Sequence, residues 1–489
     1  MSTWLAISPF LVVALGGLTV MMVDAFVKRK DEFALLPAVI LCGGGALSAA
    51  MLLNGVPAET PELLSPYLSV DAMSHLLNLI ICMGSALCAL LAGGYLGEQG
   101  LERYDFYVVL IFCAFGAMVL SAAIDLVSIF LGLETMSLGV YALVAYRRGN
   151  RRAIEGAIKY FLLGSFAAAI FLFGSALLYG ATGHTDLGGI GAAIAADKAD
   201  ARLVMLAMFM VVAGLAFKVS AVPFHMWTPD AYEGAVTPAT TFMAAVVKAA
   251  AFAVMVRVLV VGFGDPVSAG ATSGWPPALA VLAAITMIYG NIAAVYQSSV
   301  KRMLAYSSIA HAGYILVGVV AIFRVGNTAV SAVLFYLMAY TVSNVLAFGS
   351  LIVMGTRGRE AVSYEDLAGA GRRHPLAALP FVVGVLSLMG FPPTAGFFGK
   401  YYIFNAAVQA GGGMIWLVIL GVLTSAVAAY YYFRVVVYLF MKQPEPEAPL
   451  AVPMRSGYVV AALIASAFFV VMMGIQPGDY LAMALSAAG

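Results

Sequence analysis

The stretch LAFKVSAVPFHMWTPDAYEGA, residues 215–235, places Lys218 inside a run that is otherwise apolar from Leu203 to Ala216. The surrounding segment is long enough to cross a bilayer. Pro223, five residues on, has no N–H to offer the Val219 carbonyl, and its ring crowds that carbonyl. The helix is therefore predicted to break or kink one residue past the lysine. Broken helices persist at membrane depth only where protein or a water-filled cavity satisfies the freed backbone groups. Lys218 also falls near the negative dipole end of the first half-helix. An ionisable residue in such a place points to function. The other reading is a structural ion pair that steadies the kink.

Composition agrees with a membrane setting. Of 489 residues, 63% are hydrophobic and 10% charged, and the mean hydropathy is +0.99, whereas soluble domains carry roughly a quarter charged residues. Apolar runs of about twenty residues follow one another, without the short alternating segments of a barrel. The fold class is thus an all-α polytopic membrane protein of about fourteen transmembrane helices. Expected spans are 5–27, 34–54, 72–96, 105–122, 124–146, 153–181, 201–227, 237–262, 277–296, 303–323, 328–355, 375–408, 414–441 and 456–474. The seventh and twelfth are interrupted by proline. The opening MSTWLAISPF has no basic n-region or cleavage site and reads as the start of a retained span. Cys42, Cys82, Cys88 and Cys113 lie in apolar runs without metal-ligand spacing. Neither the formal net charge of +1 nor any motif suggests a nucleic-acid partner. The segment 442–455, with KQPEPEAPLAVP, reads as a stiff connector.

Basic residues set the orientation. Alternate loops on one side hold Lys28, Arg29, Lys30, Arg103, Arg147, Arg148, Arg151, Arg152, Lys301, Arg302, Arg357, Arg359, Arg372, Arg373, Lys442 and Arg455. The other side holds Lys198, Arg202 and Arg324. Sixteen against three predicts that the first side is cytoplasmic and that both termini face away from it.

The six remaining basic residues lie within spans: Lys159, Lys218, Lys248, Arg257, Lys400 and Arg434. Arg257 and Arg434 are near enough to span ends to snorkel. Lys159 is borderline, about 10 Å along a helix from Arg152. Lys218, Lys248 and Lys400 are deep. Against them stands one deep carboxylate, Glu134, in FLGLETMSLGVYALVAY. One carboxylate cannot neutralise three lysines, and burial disfavours an unpaired ammonium. Such lysines must be hydrated, deprotonated part of the time or paired with another subunit, and lysine can shift in this way where arginine cannot. The set resembles a proton relay more than static bridges. His225, beside Pro223, and His311 can bridge a relay because imidazole titrates near neutrality, although a packing role for either is equally open. His75, His184 and His374 are assigned no role.

A second proline break with a neighbouring lysine occurs in FPPTAGFFGK, residues 391–400, where Pro392 and Pro393 precede Lys400. The two broken spans are five apart and so run in opposite directions, as in an inverted-topology repeat. The expected units are an N-terminal group of three helices (1–100), spans four to eight (101–262), spans nine to thirteen (263–441), and a last span with its tail (442–489). Lys218 and Lys400 are rough counterparts, with the order of lysine and proline reversed.

The stretches LETMSLGVYALVAY (133–146), RRAIEGAIKYFLLGSFAAAIFLFGSALLYGATG (151–183), FKVSAVPFHMWTPDAYEGA (217–235), SVKRMLAYSSIAHAGYILVG (299–318) and GFPPTAGFFGKYYIF (390–404) resemble the antiporter-like subunits of complex I, the NADH-quinone oxidoreductase. The resemblance covers the chain from about residue 100 onward and is nearest to the N-type members, counterparts of mitochondrial subunit 2. L-type members carry a long C-terminal lateral helix, for which there is no room after residue 474. M-type members typically have glutamate where Lys400 stands. Val236 stands in EGAVTP where the pattern has proline.

The resemblance implies a proton-translocating subunit in a bacterial inner membrane. It implies a Glu134–Lys218 pair with Lys159 nearby, and a hydrophilic axis continuing through Lys248 and His311 to Lys400. It also implies that NADH, FMN, iron–sulfur clusters and quinone belong to other subunits, with M-type and K-type subunits as flanking partners. Two alternatives remain: an Mrp-type sodium/proton antiporter subunit, for which one deep glutamate is a poor start, and a structural subunit that carries no protons.

Overall fold

Hydrocarbon offers no hydrogen bonds, so each apolar run must satisfy its own backbone, and it does so as helix. The computed structural model describes residues 3–26, 33–56, 60–101, 104–265, 268–270, 274–355, 358–444 and 452–489. Lys28, Arg29, Lys30, Arg103, Arg357 and residues 445–451 of the expected connector lie outside them.

The first six spans are α1 (Ser8–Phe26), α2 (Leu35–Asn54), α3 (Ala72–Glu98), α4 (Asp105–Ala122), α5 (Leu126–Val144) and α6 (Arg151–Thr182). The seventh is split into α7 (Ala201–Val219) and α8 (Thr228–Gly234). Then come α9 (Thr237–Gly262), α10 (Trp275–Val295), α11 (Val300–Val325) and α12 (Asn327–Met354). The twelfth is split into α13 (Pro375–Met389) and α14 (Ala395–Gln409), and α15 (Ile415–Phe440) follows. The last is α16 (Gly457–Ile475), continued after Gln476 by α17 (Pro477–Ala488). This bend lies beyond the 456–474 expected for that span. Among the described residues no strand occurs, only isolated bridges such as Asp125 with Asp186.

Local sequence explains most helix starts. The side chains of Asp71, Asp125, Asn150, Asp200 and Ser299 accept hydrogen bonds from amides of the first turns of α3, α5, α6, α7 and α11, groups that have no intrahelical partner. Burial then sorts the helices. α12, α9, α11 and α3 are almost wholly enclosed, while α1, α6 and α15 leave most of their surface outward. The central column therefore carries Lys248 and His311.

The two split spans are built alike. α7 ends in a Schellman motif, with Ser220 left-handed at φ 64°. Ala221 N–H donates to Ala216 O (2.9 Å) and Ser220 N–H to Phe217 O (3.1 Å). α13 ends the same way, with Gly390 left-handed at φ 88°; Phe391 N–H donates to Leu386 O (3.0 Å) and Gly390 N–H to Ser387 O (2.9 Å). These bonds recover carbonyls that a helix end would orphan. Pro223 and Pro393 each stand three residues past the left-handed residue, and the bonds entering both are cis. The break after Lys218 falls at Val219, as expected.

Aligning the breaks changes the lysine correspondence. Lys218 is two residues before Ser220, and two before Gly390 stands Leu388. Lys400 is ten residues after Gly390, and ten after Ser220 stands Asp230. The lysines are thus not counterparts in register; each occupies a different side of its break.

Candidate functional site

The first break supplies an aromatic box. Trp227 Nε1 donates to the Phe217 carbonyl (3.1 Å), Thr228 Oγ1 to Ser220 Oγ (2.8 Å), and the Val222 amide to Thr286 Oγ1 of α10 (2.9 Å). Trp227 and Thr286 thereby answer backbone groups at the break, and the Thr228–Ser220 bond ties its two sides together. Lys218, 2% exposed, donates to the Tyr160 hydroxyl at 3.3 Å, and its ammonium lies 5.1 Å from the Tyr160 ring and 5.5 Å from the Tyr141 ring. Tyr160 stacks on Trp227 with centroids 3.9 Å apart.

Glu134 of α5 is within electrostatic reach of Lys218, but the two form no ion pair, and Glu134 Oε1 is buried without a hydrogen-bond partner. The direct pairing implied by the family resemblance is therefore absent from this structure, because the Lys218 ammonium turns to Tyr160. Pro223 and Pro392 sit in their breaks as expected. His225 packs its ring on Tyr289 (4.5 Å) beside the first break, with Nδ1 unpartnered, and joins none of the buried lysines.

Lys248 follows a π-helical turn, Met243–Val247, within α9. Such turns often occur at functional sites. Its ammonium donates to the Ser308 carbonyl of α11. Ser308 Oγ accepts from Tyr340 (2.9 Å) and lies 3.5 Å from the Tyr232 hydroxyl. Ser307, Ser308, His311 and Tyr314 follow one another at helical spacing along α11. The Ser307 hydroxyl bonds to Tyr432. His311 Nε2 lies 3.2 Å from the same Tyr432 hydroxyl and its Nδ1 2.6 Å from that of Tyr336. Lys400 of α14 folds back across the second break to donate to the Met389 carbonyl (2.9 Å), its ammonium 4.8 Å from the Tyr314 ring. Tyr314 accepts from Asn291 Nδ2 (3.0 Å), whose Oδ1 in turn accepts from Tyr431 (3.0 Å).

Lys218, Lys248, His311 and Lys400 are all buried, and Lys248 and His311 lie among the hydroxyls of Ser307, Ser308, Tyr336, Tyr340 and Tyr432, each able to donate and accept. Among the described residues none of the three lysines has an ion pair with a carboxylate, so each can gain or lose a proton without breaking one. Lys159 is set apart. Its side chain is 43% exposed and paired with Glu155 (2.6 Å) and Asp230 (2.7 Å). Asp230 and Glu233 of α8 also hold Arg302, at 2.7 and 2.9 Å, and buried Lys301 meets Glu360 at 3.3 Å. Arg257 reaches the membrane face through an ion pair: its guanidinium grips the half-exposed Asp71 with bonds of 2.9 and 2.7 Å, a bidentate fork. Arg434 donates to the Gln297 carbonyl (3.1 Å) and stacks on Tyr364.

Sequence reasoning missed Tyr160, Tyr232, Ser308, Tyr336, Tyr340 and Tyr432. Ser307, Ser308 and Tyr314 were visible around His311 in AYSSIAHAGY. The tyrosines carry no local mark, since tyrosine is common in membrane helices. Asp230 and Glu233, three apart in the opening stretch, were a readable signal of a charged helix face.

A helical membrane bundle with two broken spans and a line of unpaired buried lysines defines an antiporter-like membrane subunit, and residues 123–428 match the family described as NADH:quinone oxidoreductase/Mrp antiporter, TM. The chain is 54% identical to NADH-quinone oxidoreductase subunit N 1 of Sorangium cellulosum, over 99% of its own length and 98% of the relative's. It matches a chain of respiratory complex I from Thermus thermophilus at 34% identity and a TM-score of 0.80, covering 98% of this chain and 100% of that one. A chain of the Mrp complex from a Dietzia species shares the fold at a TM-score of 0.84 and 21% identity, covering 100% and 97%. The chain belongs to the subunit N family of NADH-quinone oxidoreductases.

Proposed function

We propose that this chain is a proton-translocating membrane subunit of a respiratory NADH:quinone oxidoreductase, passing protons along Lys218, Lys248, His311 and Lys400. Glu134 biases the Lys218 end, and the driving free energy comes from electron transfer in other subunits. The observation that carries the reading is the set of buried hydroxyl and imidazole groups along α11 beside Lys248, together with three buried lysines that lack fixed counter-ions. A static set of bridges would pair them, because an unpaired buried charge is costly. Lys159 belongs to the charged rim in this scheme and reaches the line through Asp230 on α8.

The chain contributes no redox centre; NADH, FMN, clusters and quinone act in other subunits, with M-type and K-type subunits as neighbours in a bacterial inner membrane. The five-helix units 101–262 and 263–441 follow from the similar breaks, with 1–100 and 442–489 flanking them. The face with Arg147–Arg152 is cytoplasmic and both termini are periplasmic. A cysteine at Gly149, where a side chain meets nothing within 4 Å, should resist an impermeant thiol reagent in intact cells, whereas one at Gly188 should react. The reverse pattern overturns the orientation.

The function is tested with Lys248→Met in the assembled complex. NADH-driven membrane potential should fall while quinone reduction continues, with or without sodium at fixed ionic strength. Undiminished pumping in that variant ends the proton-carrying reading, and a strict sodium requirement moves the exchanger reading to the front.

A further inference from the structure

The first two turns of α3 hold a polar cluster outside the lysine line. His75 and Asn78 are both 0% exposed, and neither ring nitrogen of His75 nor either amide atom of Asn78 has a hydrogen-bond partner among the described residues. Buried polar side chains nearly always find partners, and exceptions mark a role or a bound water. Four unpartnered atoms one helical turn apart can supply the polar neighbours that an internal water takes.

The cluster lies between two fixed points. At the membrane face, Asp71 caps α3 and is gripped by Arg257 at the far end of α9, which also bonds the Ser121 carbonyl and Ser74. Burial works against the Asp71 charge, but the guanidinium and its hydrogen bonds outweigh it and hold the carboxyl down at about 2. Asp71 therefore stays ionised and anchors the two helices at a common depth. From that anchor Asn78 is seven residues inward along α3, about 10 Å, and Lys248 nine residues inward along α9, about 14 Å. The helices pack together, and the backbone of Gly84 on α3 lies beside Val246, two residues before Lys248. His75 and Asn78 thus occupy the depth between the surface pair and the lysine.

We propose that His75 and Asn78 line a water-filled pocket that conducts protons between Lys248 and the membrane face bearing Asp71 and Arg257. The inference rests on the proton-carrying reading of Lys248. In it, water held by the Asn78 amide and the His75 ring passes protons by hydrogen-bond exchange, and the Asp71–Arg257 pair keeps the mouth polar.

The test uses the assembled complex in membranes, comparing His75→Leu/Asn78→Leu with Lys248→Met. Both should lose the same share of proton uptake per NADH oxidised, and Asn78→Ser, which keeps a water-binding group, should retain it. If Lys248→Met loses uptake and the double leucine variant keeps it, the pocket is not the path although the function stands. If Lys248→Met itself pumps normally, both fall. Should the double variant fail to assemble, single cysteines decide. Asn78→Cys should react with a small charged methanethiosulfonate added from the Asp71 face, and Leu77→Cys, equally buried, should not. Absence of reaction at both overturns the proposal.

Discussion

The two broken spans share one backbone solution and use their lysines in opposite ways. At the first break the freed groups are answered by Trp227 and Thr286, and the Lys218 ammonium lies among aromatic rings. At the second break Lys400 itself caps the Met389 carbonyl. Gly390 permits this, since a Cβ there would press on the Lys400 stem at 3.1 Å. A lysine free of the backbone changes charge without touching the break; one that caps a carbonyl still donates as a neutral amine, but through a weaker bond. The first break is therefore the cleaner place to separate proton transfer from structure.

The largest effect expected from this difference is at Gly396, six residues past Gly390. A Cβ there would drive into the Ser387 carbonyl oxygen of the preceding half-helix. Gly396→Ala should cost about 3 kcal/mol or more and reduce the assembled subunit on native gels. The same position past the first break is Met226, 69% exposed, where Met226→Ala should change stability by less than about 0.5 kcal/mol. Equal tolerance at both sites would show that the second break is not closed as tightly as its geometry requires.

Next is Lys218→Arg. Arginine keeps the charge but holds its proton at any accessible pH, so pumping should fail while the complex assembles, and Lys218→Ala should fail likewise. Near-normal membrane potential in the arginine variant would reduce Lys218 to a support for the kink. Lys400→Arg should lower assembly as well as pumping, because the Met389 cap is disturbed; assembly unchanged there would erase the contrast between the breaks.

Tyr160→Phe should have a smaller effect. It removes the hydroxyl that Lys218 donates to while leaving the stack on Trp227, a loss of about 1 kcal/mol. Proton uptake per NADH should fall partially, and a full loss would mean that the hydroxyl is a step in the path. The smallest effect belongs to Lys159→Met, since Lys159 stands apart from the buried lysines and is already paired with Glu155 and Asp230. Abolished pumping with normal assembly would bring Lys159 into the line despite its exposure.

Much of this molecule is local and was legible in the sequence. Hydropathy marked the spans, and Pro223 and Pro392–Pro393 marked the breaks. The deep residues Glu134, Lys218, Lys248, His311 and Lys400 could be picked out because charge inside an apolar run is expensive wherever the chain folds. The bend at Pro477 escaped because the apolar run before it already spanned a bilayer.

Partnership was decided only by the tertiary structure. Lys218 meets a tyrosine 58 residues away and His311 one 121 residues away, and no periodicity within a segment encodes such separations. The same holds for the Glu134–Lys218 ion pair that does not form, for Asp71 as the partner of Arg257, and for Lys159 falling on the rim. Depth in the bilayer follows from counting residues along one helix, whereas a hydrogen bond depends on how neighbouring helices rotate and pack, which is settled by the fit of all their side chains together.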